Sequence, residues 1–219
     1  MKYAMYSLLG LLLVMPMFTS SVCRADSAPW TLDQAVLKSA AQAWELAGKN
    51  DEQFAKMVQD MTALVAVNRA LTIPDQEDLG SMVGKIVTRE VKADRDQLLY
   101  VIVDHAVTVS LASVVPASMT VACRSAEAAS DWSTADIATS TVTQAWKISG
   151  ESRTEFMKMV RAMLALDVAN RGMDFSDTRA AGMKFGELLR MDLEAHPNDL
   201  LYTVVDRSAL KVIALDTIR

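Results

Sequence analysis

NDEQFAKMVQDMTAL, residues 50–64, returns 102 positions later as SRTEFMKMVRAMLAL, residues 152–166. In both stretches Phe54/Phe156, Met57/Met159, Val58/Val160, Met61/Met163 and Leu64/Leu166 fall at spacings of 0, 3, 4, 7 and 10. Those spacings lie on one face of a helix with 3.6 residues per turn. Asn50-x-x-Gln53 and Ser152-x-x-Glu155 precede the stripe. A side-chain oxygen at the first position of such a pair satisfies an otherwise unpaired amide of the first turn. Alternating apolar and polar residues of useful strand length occur nowhere in the chain, so the fold class is all-α.

The match extends well beyond this helix. Gln42–Val109 align with Gln144–Lys211 over 68 positions without a gap, and 22 residues are identical. Trp30 and Trp132 keep the same register upstream. A repeat of this length describes two copies of one supersecondary unit. Each copy reads as four helices. The first opens at Thr31-x-x-Gln34 and Ser133-x-x-Asp136, the second is the helix quoted above, and the third begins near Asp75 and Asp177. The fourth begins at Asp94-x-x-Gln97, or after His196 with Pro197 at its first position. The fourth helix repeats Leu98-Leu99-Tyr100-x-x-Val103-Asp104 as Leu200-Leu201-Tyr202-x-x-Val205-Asp206, with apolar positions nearly all round it. It is therefore expected at the centre of each unit. The resulting organisation is a leader over 1–25, a first repeat over 26–110, a connection over 111–130 and a second repeat over 131–219. The connection contains Pro116 and is rich in Ala, Ser and Thr, yet carries enough apolar residues to lie against a folded surface.

The leader has Lys2, then an almost wholly apolar run from Tyr3 to Phe18, then a polar stretch ending at Ala25. That pattern is a secretory signal. Pro16 and the small-residue end favour removal over retention as a membrane anchor. Cleavage after Ala25 removes Lys2 and Arg24 and leaves 20 basic against 27 acidic residues, a formal charge of −7. An acidic chain of this kind is matched neither to nucleic acid nor to an anionic membrane surface. Cys123 is then the sole cysteine. A cut after Ser21 would instead keep Cys23 and allow a Cys23–Cys123 disulfide.

Three further sets of residues recur or invite a functional reading. Arg69 and Asp104, with Arg171 and Asp206, pair a guanidinium with a carboxylate on the most apolar helix. Such a carboxylate is costly unless paired, so the expectation is an internal ion pair in each unit. Gly80-x-x-x-Gly84 recurs as Gly182-x-x-x-Gly186. Two glycines cost about 1 kcal/mol each in a helix relative to alanine. Their spacing makes a flat strip for close helix packing, and the expectation is that the two strips meet across a pseudo-twofold. Of ten methionines beyond the leader, Met57, Met61, Met159 and Met163 lie on the core stripe, which assigns them to packing before metal binding. His105 and His196 stand at non-equivalent positions, and no His/Cys cluster has metal-ligand spacing. No nucleophile elbow, phosphate-cradling loop or zinc-protease helix is present. The expectation is a non-enzyme without cofactor or metal.

The small-residue run Ala66-Val67-Asn68-Arg69-Ala70-Leu71, the Ile73 that follows with its acidic loop, and Leu98-Leu99…Val103-Asp104 resemble the YmgD family of small secreted bacterial proteins. The resemblance covers each copy separately, from the end of its first helix to its last. It implies a periplasmic helical fold like that of the HdeA-type acid-stress chaperones, in a family of single-unit members without an established biochemical role. This chain departs by being a tandem. The family's cysteine pair falls near Ala40 and Val91, and near Val142 and Leu193, so apolar contact replaces that disulfide. The resulting expectation is a periplasmic protein that binds other proteins in envelope stress, monomeric with a dimer-like arrangement inside one chain. An acid-activated holdase and an immunity protein against a secreted toxin are the alternatives. No residue identifies the partner. Val65 against Asp167 and His105 against Arg207 read as exposed differences between the copies. Gly84→Leu is expected to disrupt docking of the two copies, which solution scattering would register as an increased radius of gyration.

Overall fold

Ser39 and Thr141 divide what the sequence presents as a single opening helix. In the computed structural model, which describes residues 30–71, 77–114, 132–173 and 179–217, each is an extended residue whose hydroxyl caps a new helix. The described residues of the first unit therefore form α1 (Leu32–Ala35), α2 (Ala40–Leu46), α3 (Asp51–Asn68), α4 (Glu77–Ala93) and α5 (Leu99–Val114). Those of the second form α6 (Thr134–Ala138), α7 (Val142–Ile148), α8 (Arg153–Arg171), α9 (Arg179–Ala195) and α10 (Leu201–Thr217). The chain is all-α, with five helices among the described residues of each unit where four are expected. The division between units falls between Ala122 and Cys123, inside the expected connection. Helix α5 extends into that connection as far as Val114.

Capping boxes hold both corners. The Ser39 hydroxyl accepts from the Gln42 amide at 3.3 Å, and the Ser39 amide donates to Gln42 Oε1 at 3.3 Å. Thr141 and Gln144 repeat the exchange at 3.2 and 2.8 Å. The expected boxes at Thr31/Gln34 and Ser133/Asp136 are present as well. At Asn50 and Ser152 the side chain caps the third helical amide, and only the forward bond forms.

The divided helix has a second cause. Ser39 lies in a single antiparallel bridge with Leu98, and Thr141 in one with Leu200. The Ala40 amide donates to Gln97 O at 2.9 Å, and the Leu99 amide returns to Lys38 O at 3.0 Å. Val142 to Asp199 and Leu201 to Ser140 repeat both bonds at 2.9 Å. These bonds need extended backbone before the last helix, so α5 and α10 start at Leu99 and Leu201 and not at the expected upstream caps. Asp94 instead turns the chain, its carboxylate accepting from the Asp96 and Gln97 amides. Pro197 lies ahead of α10, and its carbonyl accepts from the Thr143 amide and hydroxyl.

The last helix of each unit is the central one. Leu99, Tyr100, Val103 and Ala106 on α5 are fully buried, as are Leu201, Tyr202, Val204, Val205 and Ala209 on α10. Helix α5 packs on α3 and α4, and α10 on α8 and α9. The stripe on α3 is Phe54, Met57, Met61 and Val65, with Val58 and Leu64 on its half-buried flanks. Fully burying each such apolar side chain contributes about 1.5–3 kcal/mol. Trp44 meets Phe54 edge to face, and Trp146 meets Phe156 in the same way, each pair at 5.6 Å. Ala40 and Val142 are buried and Val91 and Leu193 half-buried. The 1–25 leader, the onset of the third helix, Cys23 and Cys123 lie outside the described residues.

Thr141 is buried and Ser133 exposed, so their caps differ in what water can replace. Thr141→Ala is expected to cost about 1 kcal/mol of the second unit's stability, and Ser133→Ala less. Urea unfolding of the two variants measures the difference.

Candidate functional site

Helix α3 closes with the Leu71 amide donating to Ala66 O at 2.8 Å and the Ala70 amide to Val67 O at 3.2 Å, and the chain leaves through Ala70 at φ 49°. The equivalent position after α8 is Gly172 at φ 62°. Only glycine adopts that backbone without steric cost. Arg69 and Arg171 stand at the helix end just before this turn and reach the last helix of their unit. Arg69 Nε donates to Asp104 Oδ1 at 2.5 Å and Nη2 donates to Oδ2 at 2.7 Å, a bidentate fork. Arg171 Nε donates to Asp206 Oδ1 at 2.6 Å. All four expected partners are thus brought together, each arginine with the aspartate of its own unit. Both pairs are largely shielded, Arg69 keeping 14% and Arg171 10% of side-chain exposure.

Tyrosines complete each cluster. Asn68 Nδ2 donates to the Tyr100 hydroxyl at 3.2 Å. Burial is the main cause that pushes the Tyr100 phenol above its usual range, and the same holds for Tyr202. Each phenol is thereby kept neutral, Tyr100 accepting from Asn68 and Tyr202 donating to Asp167.

The second unit adds a group that the first does not have. Asp167 occupies the position of Val65, and both are fully buried at 0% exposure. The expected exposed difference is therefore a core difference. The helical stripe turns residue 167 inward, four residues after Met163 on the same face. Asp167 Oδ1 accepts from the Tyr202 hydroxyl at 3.0 Å and from Arg171 Nε at 3.2 Å. Asp167 Oδ2 is buried without a hydrogen-bond partner. Burial raises the Asp167 carboxyl, the neighbouring Asp206 charge raises it further, and it reaches about 7 despite Arg171 and Tyr202. Two carboxylates share one guanidinium here, where the first unit matches one with one. The sequence signal was present as an Asp at a stripe position. Reading the stripe as ending at Leu166 hid it.

A second polar contact crosses from the fourth helix to the fifth in each unit. Arg207 Nε donates to Asp192 Oδ2 at 2.6 Å and Nη2 to Asp199 Oδ2 at 3.1 Å. His196 lies 3.6 Å from Asp192 and 3.8 Å from Asp199. In the first unit His105 Nδ1 stands 2.8 Å from Glu90 Oε1. The two histidines are exposed and border these side-chain networks.

Gly182 and Gly186 lie exposed on α9, and a Cβ on either would meet nothing within 4 Å. Inside the second unit the strip is accordingly not a site of close packing. Gly80 and Gly84 are half-buried on α4. Among the described residues no group of three or more His, Cys, Asp or Glu could hold a metal ion. Nor is any described helix long and apolar enough to cross a membrane.

Removing one member of a buried ion pair leaves the other charged in a dry core, at a cost of about 3–5 kcal/mol. Asp104→Asn is expected to lower the unfolding free energy of the first unit by that order. The double change Arg69→Met with Asp104→Leu is expected to recover most of it, as read by urea unfolding. No family model, curated protein or solved structure matches this chain.

Proposed function

We propose that this chain is a non-enzymatic secreted protein of the periplasm that acts by binding another protein, in the manner of a tandem YmgD-like module serving envelope stress. One observation carries the reading. Of the polar residues common to both copies, Gln42 and Gln144 are used in caps, and Arg69–Asp104 and Arg171–Asp206 in buried pairs inside the units. Among the charged residues that face solvent on α9 stand two large apolar side chains, Met183 at 68% and Met191 at 55% exposure. Methionine is unbranched and polarisable, and surfaces built from it accommodate varied protein partners. Gly182 and Gly186 beside Met183 leave the helix backbone open to close approach. Charged residues on the same outward half, Arg190 paired with Glu194 and Lys184 with Glu187, provide a polar rim. The leader supports export, and the acidic balance supports a protein partner over nucleic acid.

A photoreactive residue placed beside Met183 in living cells is expected to give a discrete protein adduct in the periplasmic fraction. Combining it with Met191→Glu and Met183→Glu is expected to abolish that adduct while leaving the melting temperature within a degree or two, because both side chains are solvated. Retention of the adduct in the double variant would move the binding surface elsewhere.

A further inference from the structure

Val65 and Asp167 hold the same place in two otherwise similar cores. In the first unit the buried polar groups balance, with one guanidinium clasping one carboxylate through two bonds. In the second, α8 brings Asp167 and Arg171 to the interface and α10 brings Asp206 and Tyr202. If both carboxylates are ionised, this core carries one net negative charge, and Asp167 Oδ2 has no donor to face. A dry interior tolerates neither an uncompensated charge nor an unsatisfied acceptor without a cost of several kcal/mol.

The charged groups that act on Asp167 are Asp206 of α10 and Arg171 of its own helix, with the Tyr202 phenol as hydrogen-bond donor. The other helices packed on α8 or α10 direct their charges elsewhere. On α6, Asp136 is exposed and bonded to Ser133. On α7, Lys147 is exposed. On α9, Asp192 is engaged by Arg207. None of these supplies a second cation to the pair. A proton does, because it cancels the excess charge and lets Asp167 donate a hydrogen bond to Asp206.

We propose that Asp167 and Asp206 together form a proton-binding site in the core of the second unit, so that mild acid tightens this unit and leaves the first one without the same response. Linkage sets the sign. An unfolded aspartate releases its proton near pH 4, whereas the folded cluster holds one well above that. Between these two values the folded unit binds one proton more than the unfolded chain. Its stabilisation is fully present below about pH 4 and is lost as pH rises through the titration of the folded cluster. Each pH unit inside that window changes the folding equilibrium on the order of tenfold. The device has the opposite sign to the acid unfolding that a holdase of the HdeA type would need, and it is independent of the α9 surface argued above.

Carbon-13 NMR of the aspartate carboxyls in the full chain tests the site directly, with the Asp167 signal assigned by its absence in Asp167→Asn. The expected result is an Asp167 carboxyl that titrates at least two pH units above an ordinary aspartate. Thermal unfolding between pH 4.5 and 8 gives a second readout. The wild-type melting temperature is expected to rise on acidification relative to Asp167→Asn, and Asp167→Val, which installs the first unit's residue, is expected to flatten the response equally. Val65→Asp is expected to introduce a matching pH dependence into the first unit. An Asp167 signal titrating near pH 4 overturns the proposal, as does a wild-type profile parallel to those of both Asp167 variants. If Asp167→Val or Val65→Asp fails to fold, the wild-type titration decides alone; if Asp167→Asn fails, the Asp167 carboxyl is assigned by carbon-13 correlation to its own backbone and the titration still decides.

Discussion

Arg69 leaves the end of α3 and grips Asp104 on α5, and Arg171 leaves the end of α8 and grips Asp206 on α10. Each pair joins the helix that carries the clearest apolar stripe to the helix that forms the centre of its unit. Apolar contact alone is non-directional and would tolerate sliding of one helix along another. A guanidinium fork does not, because its donors must meet two carboxylate oxygens in one plane. Once burial has removed water from the pair, any other register would leave a charge unpaired. The rest of each unit is arranged around that constraint. The tyrosine and asparagine beside each arginine hydrogen-bond to one another, and methionines and phenylalanines occupy the same buried stripe.

A single substitution then makes the two copies chemically unequal. Val65 completes the first stripe with a side chain that needs nothing from its neighbours. Asp167 completes the second with one that needs a donor on each oxygen and finds donors for only one. The same guanidinium that saturates a single carboxylate in one copy is divided between two in the other. Shape is nearly conserved by this exchange, and charge is not. Two units with closely similar helices can thus respond differently to their solvent.

Much of the architecture was legible in residues 50–64 and their repeat. The stripe at Phe54, Met57 and Met61, the caps at Asn50 and Ser152, and the central place of the Tyr100 and Tyr202 helices follow from periodicity and local chemistry. Of the candidate site, the arginine–aspartate partners were legible because a carboxylate amid valines demands a cation and each unit carries a recurring arginine to supply it. The division at Ser39 and Thr141 was not. Its cap residues are visible, but its cause is the bridge to Leu98 and Leu200, some 60 positions away in sequence. Helices α5 and α10 start late for the same reason, since the bridge keeps the preceding backbone extended. The glycine strip at 182 and 186 shows the converse. Its recurrence suggested close packing, yet within its unit the space beside it is open, because sequence spacing describes a surface without saying what covers it.

By itself the sequence determined the helical class, the caps, the stripe and the identity of the ion-pair partners, because each depends on spacing within one helix or on a charge that must be answered. Only the tertiary structure decided that position 167 points inward, that Arg171 serves two carboxylates, and that Met183 and Met191 face outward. Those facts depend on which side of a helix meets its neighbours, and a helix acquires an inside only when another element is laid against it.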